Sequence, residues 1–215
     1  MNLANIKQEL NSIERTSFGI SVPKLRKFAK KVAKADYKKF IEINDCSTFE
    51  LRLLQAFVIG YAKDDIDVLL KYFKAFMPFV DDWAINDSLC QNFTIARKYP
   101  DKVWDFLMQY KTTTKEFESR VVAVILLSHY LTNEYVDKVI EILDTLSTDK
   151  YYSQMGVAWA FATIMGKYSD KCMKYLKSEN CHLNKITYNK TLQKIRESCK
   201  VSDEIKKLIK DMRKS

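Results

Sequence analysis

The sequence predicts an all-α fold: a curved α-α superhelix, or solenoid, of helical repeats around a concave basic groove. Three observations predict it. Four glycines and three prolines in 215 residues are too few for the turns of an all-β design, while a hydrophobic content of 47% is enough for a filled core. Displacing the chain against itself by 34 residues superimposes Phe49, Trp83, Phe117 and Tyr151, and three positions further on Arg52, Asn86, Arg120 and Gln154. The formal charge of +9 gathers at the two ends: residues 20–39 hold eight Lys/Arg against one Asp, and residues 185–215 hold ten against four Asp/Glu.

A single domain over residues 1–215 is expected, opening with two capping helices in residues 1–46, "NLANIKQELNSIE" and "SVPKLRKFAKKVAK". Ser21 as N-cap, with Val22 and Pro23 in the opening turn, marks the start of the second. Repeats then begin near residues 49, 83, 117, 151 and 187. Their first helices contain "LRLLQAFVIGYA", "INDSLCQNFTIA", "SRVVAVILLSHYL" and "SQMGVAWAFATIM", each with helical periodicity. The second helices "DKVWDFLMQY", "DKVIEILDTL" and "DKCMKYLKSE" share Asp-Lys, an apolar residue and a later Leu, and a looser fifth unit follows in "TYNKTLQKIRES" and "DEIKKLIKDM". Tetratricopeptide repeats have a similar period, but their Trp/Leu-Gly/Tyr and Ala/Phe/Pro signature is absent, which favours HEAT-like repeats. A single pair cannot bury its own apolar face, so pairs stack and the stack curves.

Several function classes are excluded. The opening "MNLANIKQELNSIERTS" lacks the apolar core of a signal peptide, and no run approaches the roughly 18 apolar residues of a membrane span, so a cytoplasmic protein is expected. Five cysteines without a C-x-x-C pair read as reduced and mostly buried. His129 and His182 have no partner at ligand spacing, and Walker, GxSxG and dinucleotide motifs are missing. No metal and no small-molecule cofactor is expected, and the chain is taken as a monomer.

The anomaly is Asp87. At its register the sister repeats carry Leu53, Val121 and Met155. Either Asp87 faces the same core with a partner such as Arg120, or its helix is rotated so that Trp83 and Asp87, one turn apart, look into the groove. Trp159 lies two periods plus four residues beyond Asp87, and Arg120 comes from the repeat between, so one concave wall could carry two indoles, a carboxylate and a guanidinium. The plainer reading makes Trp83 and Trp159 core anchors and Trp104 a packing residue. The basic runs "KLRKFAKKVAK" and "DEIKKLIKDMRKS" read either as grips on a polyanion or as solvated helix faces; neither has the aromatic apolar face of a membrane-surface helix.

In this arrangement the chain resembles the AlkD-like DNA alkylation repair enzymes, monofunctional glycosylases built of HEAT-like repeats. The matching segments are "FGISVPKLRKFAKKVAK", "DDWAINDSLC", "FESRVVAVILLSHYL", "GVAWAFATIMGKY" and "TYNKTLQKIRES", in that order over nearly the whole chain. The resemblance implies hydrolysis of the N-glycosidic bond of cationic N3- or N7-alkylated purines in double-stranded DNA, without flipping the base into a pocket. It further implies that Trp83 and Trp159 lie against the deoxyribose and backbone, that Asp87 stabilises an oxocarbenium ion and positions water, and that Arg120 helps to hold the backbone. Arg52, Lys24, Arg26, Lys27, Lys190, Lys194 and Arg196 are the further DNA-binding candidates, and nucleoid association follows when the protein is on DNA. Two positions depart from the family pattern: Asp82 precedes Trp83 where many members pair two tryptophans, and Ala162 stands where an arginine follows the second one. The alternative function is a non-catalytic module for damaged, bent or branched DNA. A protein-binding scaffold would present exposed apolar anchors in place of a basic rim.

Overall fold

The computed structural model describes residues 3–16, 19–43, 45–146 and 148–213; Phe18, which opens the first family-like segment, lies outside them. The described residues form an all-α repeat protein. Helix α1 (Leu3–Ser12) is followed by a minimal ribbon, β1 (Arg15–Thr16) and β2 (Gly19–Ile20), in which Arg15 pairs with Ile20 and Thr16 with Gly19. Gly19, at φ 91°, supplies the left-handed backbone of this turn. The ribbon was not expected from the helical pattern. It feeds α2 (Val22–Lys34), where Ser21 occupies the N-cap but its hydroxyl makes no cap bond, leaving Pro23 to set the opening turn.

The first helices of the following pairs are α4 (Phe49–Tyr61), α6 (Trp83–Asn92), α8 (Glu116–His129), α10 (Tyr151–Lys167) and α12 (Lys185–Glu197). They start at intervals of 34, 33, 35 and 34 residues. Before, between and after them come α3 (Tyr37–Ile43), α5 (Ile66–Phe76), α7 (Pro100–Met108), α9 (Val136–Thr145), α11 (Ser169–Leu176) and α13 (Asp203–Leu208). Local chemistry sets the starts: Thr48, Asp82 and Asn184 each accept a backbone N–H of the first turn, at 3.2, 2.7 and 2.8 Å.

The chain divides into two compact units, residues 1–103 and 104–215. In the first, α4 packs against α2 and α6. Its core holds Phe57, Phe73, Phe76 and Phe93, all fully buried, each stabilising by about 1.5–3 kcal/mol. The α4–α6 contact is close enough to require glycine, since a Cβ on Gly60 would lie 2.7 Å from Asn92 Cβ. In the second unit α10 packs against α8 and α12 around Phe161, Ile125 and Leu192. Trp104 packs between Tyr130 and Tyr135, with both ring centroids 5.4 Å away.

All five cysteines are free thiols, but only Cys90 and Cys172 are buried; Cys46 and Cys181 are half-buried and Cys199 is exposed, which corrects the expectation that most are buried. Cys199 sits in the polar turn between α12 and α13, outside any apolar stripe. Among the described residues, no helix is long and apolar enough to cross a membrane.

Candidate functional site

In the first unit the site residues lie on α6. Asp82 caps the helix, and Trp83 is its first residue, 52% exposed. That exposure belongs to the register, because Phe49 and Tyr151 in the sister helices are 41% and 59% exposed. Four residues on, Asp87 is only 8% exposed, at the register where Leu53 and Val121 are buried. Helix α6 is therefore not rotated: the carboxylate occupies a core register. Asn86 is fully buried beside it and donates from Nδ2 to Asp87 Oδ1 at 3.0 Å.

Arg52, half-buried on α4, donates to the Cys46 carbonyl at 3.0 Å and pairs through Nε with Asp81 at 3.2 Å. Burial pushes the Cys46 thiol up to about 11, the Arg52 charge opposing the rise. On α2, Lys24 is ion-paired with Glu14, the Arg26 guanidinium lies 5.2 Å from the Phe57 ring centroid, and Lys27 is exposed. Lys30 continues the Arg26 row, 5.3 Å from the Tyr61 ring centroid.

In the second unit Arg120 is 6% exposed on α8 and donates to the Tyr152 carbonyl at the start of α10, 3.0 Å away. Gly156 makes room for it, since a Cβ there would come within 3.2 Å of Arg120 Cγ. Trp159 is half-buried on α10, the helix that packs on α8. On α12, Lys190 donates to Gln193 at 3.2 Å, Lys194 pairs loosely with Glu197 at 3.8 Å, and Arg196 is half-buried.

Arg196 also lines an open cleft of about 610 Å³ with Asp203, Lys206, Lys207, Lys210 and Arg213. Sequence reasoning held the last four within the basic run "DEIKKLIKDMRKS" but did not name them among the DNA-binding residues. It also passed over the Asn86 contact, for which the signal was a polar residue at one register in four successive repeats. His182 Nδ1 lies 2.7 Å from Asp144 Oδ2, and among the described residues no group of three His, Cys, Asp or Glu side chains could hold a metal ion.

Helix α6 can thus offer an aromatic face to an approaching ligand and, one turn deeper, a carboxylate that is largely withdrawn from water. Against known proteins, a family model described as DNA alkylation repair enzyme matches residues 3–195. Searches of curated proteins and of solved structures find no match.

Proposed function

Because the chain belongs to the DNA alkylation repair enzyme family, we propose that its part in the repair of alkylated DNA is hydrolytic removal of cationic N3- or N7-alkylated purines from the duplex. One observation carries this reading: the Asp87 carboxylate, 8% exposed in an otherwise apolar register, one turn from the exposed Trp83 indole.

The chemistry is economical. Alkylation at N3 or N7 leaves the purine positively charged, so the C1′–N bond breaks with its electron pair going to a base that departs neutral, and no acid is needed to protonate it. The sugar is left as an oxocarbenium ion. Water then adds its oxygen to C1′ and loses a proton, giving an abasic site and the free base. A single carboxylate suffices where ordinary glycosidases use two. Asp87 acts as a fixed negative charge beside the forming cation; withdrawn from water, such a charge is typically worth several kcal/mol of barrier. The exposed Trp83 indole adds cation-π stabilisation and lines the deoxyribose, a role that the family resemblance also gives to Trp159. Lys24, Arg26, Lys27, Lys190, Lys194 and Arg196 supply the phosphate contacts, whereas Arg52 and Arg120, whose guanidinium groups are tied to backbone carbonyls, hold the framework behind them.

A second reading, a DNA-binding module without chemistry, draws on the C-terminal cationic cleft, which lies on other elements than Asp87. The two separate in one assay, release of free 7-methylguanine from methylated duplex DNA by the purified protein, with Asp87→Asn alongside. Release by the wild type alone, at equal DNA affinity, is the expected result. Equal release by both removes Asp87 from the mechanism. Binding without release by the wild type leaves the second reading.

A further inference from the structure

The third residue after each aromatic start is polar in four successive repeats: Arg52, Asn86, Arg120 and Gln154. Three of these side chains do the same work. Arg52 donates to the Cys46 carbonyl at 3.0 Å, Arg120 to the Tyr152 carbonyl at 3.0 Å, and Gln154 to the Thr148 carbonyl at 2.8 Å. Each ties its helix to the backbone that leads into its own repeat or opens the next one. This register is a structural clamp.

Asn86 departs from it. Its Nδ2 donates to Asp87 Oδ1 at 3.0 Å and lies 3.9 Å from Cys90 Sγ. Its Oδ1 is buried without a hydrogen bond. Leaving a buried carbonyl oxygen unpaired costs stability, and an apolar side chain of similar volume would remove that cost. Leucine has the same branched heavy-atom outline, with somewhat more bulk, and is the more usual occupant of a fully buried helical position. As a clamp, then, asparagine is a poor choice here. What it supplies is an amide N–H on a carboxylate, a charge-assisted bond that restricts how the carboxylate rotates.

We propose that Asn86 is a positioning residue: its amide holds the Asp87 carboxylate in the orientation that faces the sugar, at the expense of its own unpaired oxygen. The inference rests on the reading of Asp87 as the group beside the forming cation. Orientation matters because a charge misplaced by about 1 Å from a reacting centre loses roughly a hundredfold in rate.

The test is Asn86→Leu, with Asn86→Ala as a variant that adds no bulk, measured for thermal stability, affinity for undamaged duplex and single-turnover release of 7-methylguanine at saturating protein. The expected result is a release rate lowered roughly ten- to a hundredfold, with affinity unchanged and, for Asn86→Leu, a melting temperature equal to or above the wild type. Asn86→Leu added to Asp87→Asn then lowers release no further. If either folded variant releases base at the wild-type rate, the proposal fails. It fails equally if rate, affinity and melting temperature fall together in both variants, because Asn86 is then only a packing residue. A wild-type protein that binds DNA and releases no base overturns the glycosylase reading and this proposal with it, a result distinct from failure of the variants alone.

Discussion

Arg120 belongs to a family-like segment, yet its guanidinium is buried and ties α8 to the Tyr152 carbonyl in the first turn of α10. Loss of the donor removes a charge-assisted bond between two helices, so Arg120→Ala should destabilise the protein by about 1.5–3 kcal/mol in urea denaturation. Lys27→Ala, at an exposed position, should stay within about 0.5 kcal/mol of the wild type. A drop in DNA affinity for the first variant therefore has to be read at a temperature where it remains folded. At this scale the sequence made positions legible and partners illegible. Spacing brought out Asp87 because its sisters are Leu, Val and Met, and the structure keeps it in their register. Spacing could not tell that Arg52, Arg120 and Gln154 point their donors at carbonyls while Asn86 turns to its neighbour, because that depends on side-chain length: the two-bond arm of asparagine falls short of the backbone that arginine and glutamine reach. The pull of periodicity also made a core anchor of Trp83 plausible, whereas the first turn of these helices leaves Phe49, Trp83 and Tyr151 half outside.

Helix α6 carries Trp83, Asn86 and Asp87, and α4 is the surface it rests on. Gly60 decides how closely. Alanine would favour the helical backbone by about 1 kcal/mol, but its Cβ would meet Asn92 Cβ at 2.7 Å and the Asn92 carbonyl carbon at 3.2 Å. Because part of that clash is with backbone, relief requires the helices to separate, and overpacking of this kind costs about 1–3 kcal/mol. Gly60→Ala is thus expected to lower stability in urea denaturation despite its better helix propensity, and a neutral or stabilising result would show that α6 can move away freely. The elements themselves were legible wherever an aromatic and a cap marked a start, as at Thr48-Phe49 and Asp82-Trp83. The last pair has the weakest mark, because Lys185 stands where the other repeats have an aromatic ring. The β1–β2 ribbon escaped notice because two-residue strands have no periodicity to detect; Gly19, one of only four glycines, was its trace in the sequence.

Across the molecule, charge was legible in amount but not in availability. In the N-terminal run Lys24, Lys31, Lys38 and Lys39 are ion-paired with Glu14, Glu9, Asp64 and Asp36. The C-terminal cleft sets Arg196, Lys206, Lys207, Lys210 and Arg213 around Asp203, which pairs with Lys206 at 3.7 Å. The two basic runs therefore differ in how much charge they present. On undamaged duplex, Lys207→Gln, Lys210→Gln and Arg213→Gln combined should reduce the slope of log affinity against log salt by about 2–3, since each phosphate contact contributes about 0.9. A slope identical to the wild type would take these three residues out of the DNA contact. The register of Phe49, Trp83 and Tyr151 has a further consequence. Because those first-turn side chains extend from the helices instead of filling them, exchanging one for another disturbs little of the packing beneath. The repeats thus serve as a fixed mount with replaceable fittings: such a chain can acquire a new taste in ligands through a few surface changes, while residues one turn deeper, such as Asn86 and Asp87, stay bound to the framework and change only with it.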